Sequence, residues 1–268
     1  EEWAGDGAPK LVAELQRRNV RPFLVIDEGG GIITDPIGGV KGNFAMVGVF
    51  EKGKADVRFT ARSSGGHASA PGKHTPIARL AAFVHEVETK PPFRKKFLPE
   101  VKTMFRRLSP YAPFPLRLVM GNLWLFGPVM KQVMPAVSAQ AAAMLQTTIA
   151  FTMQSGSDAC NVLPQEASVS ANMRFIPHQG ERESLEVIRA LAAKYGLEME
   201  IMHSSDYTKP VDVKGEAFRQ VEQVIGDTFP GLPVCPYVMT GATDASFYQA
   251  ICGNCIRFAP VVAGPEQM

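Results

Sequence analysis

Four groups of residues in this 268-residue sequence have the types and spacing to do chemistry. The first is acidic: Glu1 and Glu2 lie ahead of a helical segment, and Asp27 and Glu28 end the apolar run LVIDEGGG. Carboxylates gathered at one sheet edge repel each other unless a cation or proton intervenes, and a divalent metal satisfies them. The plainer alternative is a solvated terminus and a pair of turn residues. The second group is His67 in SSGGHASAPGKHTP, where small neighbours leave the imidazole available as a donor to a developing oxyanion. Ser63 and Ser64 raise a Ser–His hydrolase as a competitor, but the chain has no G-x-S-x-G elbow. In the third, NVLPQEASVSANMRF, Asn161 falls in a loop and Arg174 on the polar face of the strand that follows. The guanidinium is a bidentate fork for a carboxylate, or a plain surface cation. The fourth, VMTGATDASF, sets Gly241, Thr243 and Asp244 directly after an apolar strand. That is an edge at which open α/β sheets bind ligands.

The elements that must position these groups follow from periodicity. Ala8, Leu11, Val12 and Leu15 predict a helix over 6–19, and residues 22–27 read as a buried strand. The pattern changes in KADVRFTAR. Ala55, Val57, Phe59 and Ala61 share one face, and Asp56, Arg58, Thr60 and Arg62 the other, as in a half-solvated antiparallel strand. Thr75-Pro76 predicts an N-cap followed by Pro in the first turn of a helix. Further strands are expected at 147–153, 168–175 and 197–203, and a helix at 181–195. The order β-α-β-β-α-β is the ferredoxin-like pattern. A helix at 215–229 and apolar runs at 234–239 and 255–259 restore the buried α/β character. The expectation is therefore an α/β domain of residues 1–45 and 209–268, laid out with parallel strands. A lid of residues 46–208 interrupts it and contains short helices in an insertion at about 90–145. Within that insertion, Trp124, Leu125 and Phe126 are expected as lid core or dimer contact, with a groove for a lipid chain as the alternative.

Composition excludes several classes. A net charge of +2 and basic clusters without interleaved aromatics argue against nucleic acid. The apolar stretch at 118–137 is broken by Asn122, Gly127, Pro128, Lys131 and Pro135, so no membrane-spanning segment is expected. Cys252 and Cys255 form a C-x-x-C with no second ligand pair nearby, which reads as two partly buried thiols. Sparse cysteines point to a reducing, cytoplasmic location. The sequence starts without Met and ends on PVVAGPEQM, so both ends are expected to be cut from a longer chain.

Taken in order, EEWAGDGA, VIDEGG, SSGGHASAP, NVLPQEA with its following Arg, and TGATDASF resemble the di-zinc aminoacylase/carboxypeptidase S family of metallopeptidases. The resemblance is strongest to its carboxypeptidase S and N-fatty-acyl-amino-acid hydrolase branch and spans essentially the whole chain. It implies a zinc-peptidase-like α/β catalytic domain with a ferredoxin-like lid that forms a homodimer. It also implies two zinc ions per intact subunit and hydrolysis of N-acyl amino acids or C-terminal peptide bonds. By motif, Glu1 matches the general base, and Glu2 and Asp27 match metal ligands. His67 matches a lid histidine acting in the partner's site, and Asn161, Arg174, Gly241 and Thr243 match substrate-binding positions. The family's His-x-Asp motif and bridging Asp are expected before Glu1, and its last zinc histidine just past Met268. Ser246 stands where relatives often have Arg. The reading from another class is a non-catalytic dimerisation or amino-acid-binding module.

Overall fold

A computed structural model describes residues 5–264. In chain order the elements are α1 (Gly7–Arg17), β1 (Val25–Asp27), β2 (Gly31–Thr34), β3 (Asn43–Glu51), β4 (Gly53–Arg62), β5 (Gly66–His67) and α2 (Pro76–Thr89). Next come α3 (Pro99–Leu108), α4 (Phe114–Gly121), α5 (Leu123–Val137), α6 (Ala139–Leu145), β6 (Thr148–Ser155), β7 (Val162–Leu163) and β8 (Glu166–Phe175). The last are α7 (Glu181–Lys194), β9 (Glu198–Ser205), α8 (Glu216–Thr228), β10 (Val234–Met239), α9 (Ala245–Tyr248), β11 (Cys255–Arg257) and β12 (Val262–Ala263).

These form two compact units. The first comprises residues 5–52, 96–145 and 208–264. Its sheet runs β1-β11-β3-β2-β12, with β10 also pairing with β3. The layout is mixed rather than parallel: β1 with β11, β10 with β3, and β12 with β2 are parallel, whereas β3 is antiparallel to both β11 and β2. β3 is the element the expected boundary at residue 45 cut through. Eight of its nine residues are buried, so neither face shows the polar alternation that marks a half-exposed strand. The insertion also differs from expectation. Residues 96–145 group with this unit and not with the lid, because Val101, Met104, Phe105 and Leu108 of α3 bury their stripe within it and α3 packs along β10.

The second unit comprises 53–95 and 146–207. Its sheet has the order β6-β8-β4-β9, every neighbouring pair antiparallel, with α2 and α7 packed against it. That is the ferredoxin-like arrangement expected. Ala55, Val57, Phe59 and Ala61 are all fully buried in one cluster with Phe83, Met173, Phe175 and Ile188. Thr75 caps α2 as the sequence predicts, its hydroxyl accepting from the Ala78 N–H at 3.4 Å. β4 lies between β8 and β9, so it offers no free edge for pairing; β6 and β9 are the edge strands.

Candidate functional site

In the first unit the candidate residues lie where strand ends approach the loop after β10. Asp27 closes β1, level with Arg257 of β11. One carboxylate oxygen accepts from the Ala245 N–H at 2.7 Å and the other from the Glu28 N–H at 2.9 Å, so Asp27 caps the start of α9 from a distant strand. The chain turns away immediately afterwards through glycines. A Cβ on Gly30 would stand 2.3 Å from the Arg257 carbonyl oxygen and 2.6 Å from that of Met46, an approach only glycine permits.

Thr243 is buried, and Glu51 takes both of its donors. Its N–H donates to Glu51 Oε2 at 3.1 Å and its hydroxyl donates to Oε1. The same Oε1 accepts from Arg257 Nε at 2.7 Å, and Arg257 Nη1 donates to the Cys255 carbonyl at 2.6 Å. Glu51 is 1% exposed and Arg257 0%. Desolvating two charges is costly, and the hydrogen bonds to Thr243 and Cys255 offset part of that cost, although Arg257 Nη2 stays buried without a hydrogen-bond partner. Gly241 is half-buried in the same loop, with Met239 beside it. Tyr237 donates its hydroxyl to the Gly29 carbonyl, and burial pushes that phenol up to about 12. Glu51, Tyr237 and Arg257 were not among the expected site residues. A lone arginine inside the apolar stretch NCIRFAP is the signal that marks one of them, since a charge in a buried strand must be paired.

In the second unit His67 and Asn161 come together. The left-handed backbone of Gly65 (φ +69°) reverses the chain so that β5 pairs antiparallel with β7, His67 opposite Val162. The Ala68 N–H then donates to the Asn161 carbonyl at 2.9 Å. Both side chains are exposed. His67 Nδ1 lies 2.8 Å from the Ser69 hydroxyl and also accepts from the Ser69 N–H at 3.2 Å, which leaves Nε2 as the outward ring nitrogen. Arg174 is elsewhere. It sits on β8 opposite Lys54 of β4, whereas the His67–Asn161 turn adjoins the other end, where Arg62 faces Glu166. Eight residues of extended strand separate those ends, roughly 26 Å. Arg174 is half-buried, not solvated; Nε donates to Asn172 Oδ1 at 2.9 Å, and Asn172 donates in turn to Asp56 at 2.7 Å. Burial lowers its pKa, opposed by the Asp56 charge.

Glu1 and Glu2 lie outside the described residues. Among the described residues no three His, Cys, Asp or Glu converge on a point that could hold a metal ion. Asp27 alone does not make a zinc centre. Cys235, Cys252 and Cys255 are buried free thiols, and Cys160 is exposed.

Known proteins resemble this chain. A family model described as a peptidase dimerisation domain matches residues 49–200. The N-fatty-acyl-amino acid synthase/hydrolase PM20D1 of Xenopus tropicalis is 31% identical over 272 residues, covering 98% of this chain and 51% of that protein. The human protein of the same name is 31% identical over 269 residues, covering 99% and 53%. The probable carboxypeptidase S-like 2 of Dictyostelium discoideum is 29% identical over 268 residues, covering 98% and 51%. The chain thus spans about half the length of these relatives. Among solved structures, the aminopeptidase PepT of Bacillus cereus superposes with a TM-score of 0.51 at 13% identity, covering 95% of this chain and 53% of that one, a likeness of fold. A dimerisation-domain match over more than half of the chain, joined to relatives similar along nearly all of it, means that this chain belongs to the M20 peptidase family, in its carboxypeptidase S and N-acyl-amino-acid hydrolase branch.

Proposed function

We propose that this chain is part of a metal-dependent hydrolase that cleaves the amide bond of an N-acyl amino acid or of a C-terminal peptide residue. Zinc is the proposed metal, with Glu2 and Asp27 among its ligands and the others supplied from outside the described residues. Glu1 is the proposed general base, taking a proton from the attacking water and returning it to the leaving amine. Arg174 holds the substrate's free carboxylate through its fork, aligned by Asn172. His67 donates to the oxyanion of the tetrahedral intermediate, with Asn161 beside it across the β5–β7 pairing. Gly241 and Thr243 line the substrate site, with Thr243 fixed by Glu51.

The observation carrying this reading is the separation of His67 and Asn161 from Arg174 by the length of β8. A small amide cannot span roughly 26 Å, so one subunit does not offer both ends to one substrate molecule. A homodimer would: each site would take Arg174 from its own chain and the His67 turn from the partner, and the match to a peptidase dimerisation domain supports the dimer this needs.

Subunit mixing tests this. In the intact enzyme, His67→Ala and Arg174→Ala are each expected to be nearly inactive. Unfolding and refolding them together yields half heterodimers, each with one intact site, so activity should return to about a quarter of wild type. No recovery from a mixture shown to contain heterodimers would overturn the shared site.

A further inference from the structure

We infer that α4 and α5 form a docking surface for an anionic lipid bilayer. A helix at the surface of a protein normally turns polar residues outward. α5 does the opposite. Trp124 is 80% exposed, Leu125 55%, Val129 63% and Val133 46%, and Leu125, Val129 and Val133 recur every four residues on one face. α4, the preceding helix, likewise exposes Phe114, at 74%, and Leu118, at 47%. The expectation that Trp124 and Leu125 belong to a lid core is therefore wrong: their side chains face outward, in the other unit.

The core does not need this face. Met120, Met130 and Met134, on other sides of the same helices, line a cavity of about 500 Å³ with Leu116, Phe105 and Ile37. What covers the outer face must accept an indole, several aliphatic side chains and positive charge. Between Glu100 and Asp158 there is no Asp or Glu at all, against Lys102, Arg106, Arg107, Arg117 and Lys131. Arg107 is committed inward to Glu222 at 2.6 Å, and Arg117 folds back on the Ala112 carbonyl. Lys102 and Arg106 are exposed and share one hollow with Trp124. The adjoining hollow, which Lys102 and Arg106 also line, adds Lys214 together with Glu100 and Asp212.

An exposed tryptophan flanked by cations above an aliphatic helix face is the chemistry of a membrane interface. The indole sits at headgroup depth, the aliphatic stripe enters the acyl boundary, and the cations meet anionic headgroups. Lys102, Arg106 and Lys214 outnumber Glu100 and Asp212 there, so a second copy of the chain would bring two net-positive faces together, and charge favours the anionic lipid over self-association. No helix among the described residues is long and apolar enough to cross a membrane, so the mode is docking, not insertion through the bilayer.

The sequence supplies its own probe, because its two tryptophans are Trp3 and Trp124. With Trp3→Phe, and any tryptophan outside residues 1–268 of the full chain also changed to Phe, Trp124 is the sole indole. Phosphatidylcholine vesicles containing phosphatidylglycerol should shift its emission to the blue and carry the protein upward in flotation. Pure phosphatidylcholine should do so less, and high salt should weaken the effect. Lys102→Gln with Arg106→Gln should weaken binding to anionic vesicles by about tenfold or more, since each cation near such a surface is worth roughly fivefold. Leu125→Asn/Val129→Asn/Val133→Asn should abolish flotation while keeping the wild-type melting curve. If that triple variant misfolds, the charge variant alone decides. Unmoved emission and no flotation with either vesicle would overturn the inference. So would concentration-dependent self-association that the triple variant removes, without vesicle binding.

Discussion

Each unit holds a set of polar groups gathered from distant parts of the chain, and the two sets are built on opposite plans. In the first unit Glu51, Arg257 and Thr243 are buried, and the Glu51 carboxylate is taken up by Thr243 and Arg257. In the second, His67 and Asn161 are exposed, held by backbone pairing while their side chains stay available. The difference separates two tasks. A buried carboxylate bonded to a threonine and an arginine fixes where the loop after β10 runs, and has little capacity left for a ligand. An exposed imidazole on a two-residue strand adds little to stability and is free to meet a substrate.

The largest expected effect tests the buried side of that contrast. Glu51→Ala leaves Arg257 charged, buried and without its carboxylate, and should cost about 3–5 kcal/mol in urea unfolding. Adding Arg257→Leu should recover more than half of this, because removing both charges removes the desolvation problem. A double variant no more stable than Glu51→Ala would break the contrast. The exposed side should answer in the other currency. His67→Ala in the intact enzyme should lower kcat by about 10²–10³-fold while unfolding free energy moves by no more than about 0.5 kcal/mol.

Smaller effects sharpen the picture of the buried edge. Tyr237 has a folded-state pKa of about 12, above its ordinary value of 10, so the fold favours the neutral hydroxyl. That contribution is complete below about pH 10 and is lost as pH rises from 10 toward 12. Wild type should therefore lose stability more steeply than Tyr237→Phe across that window, and equal slopes would refute the buried hydroxyl. Last, of the four cysteines only Cys160 should react quickly with a thiol reagent in the native protein at pH 8, with the other three appearing on denaturation. Burial holds Cys235 and Cys255 at about 12, where almost no thiolate exists at that pH. Two or more fast thiols would show that the core around β11 is open.

The lid fold was legible because its signals are local. The alternation of residues 55–62 and the Thr75-Pro76 cap each depend on a few neighbouring side chains, and β4 and α2 fall where those signals put them. β3 was not legible as a member of the first sheet, since a strand buried on both faces has no alternation to read. Nor was the Glu51–Arg257 pair, whose partners are 206 residues apart and meet only through the pairing of β3 with β11. His67 and Asn161 were each singled out by their loops, but their adjacency depends on the pairing of β5 with β7. The parallel layout expected for the first sheet failed because strand direction is set by connections across the whole chain.

The paths by which the chain leaves and re-enters the first unit are tied side by side. At one crossing Glu51 and Thr208 exchange hydrogen bonds, the Glu51 N–H to the Thr208 hydroxyl at 2.7 Å and the Thr208 N–H to the Glu51 carbonyl at 3.0 Å. At the other, the Lys96 N–H donates to the Leu145 carbonyl at 2.9 Å. Within the second unit, the ends that meet the first crossing are adjacent too, Lys54 pairing with Ser205. The chain therefore nests one segment inside another: the helical stretch 96–145 interrupts a ferredoxin-like module that itself interrupts an α/β sheet. Each inserted segment has neighbouring entry and exit points, the condition under which a segment can be gained, lost or exchanged in descent without re-routing the strands around it.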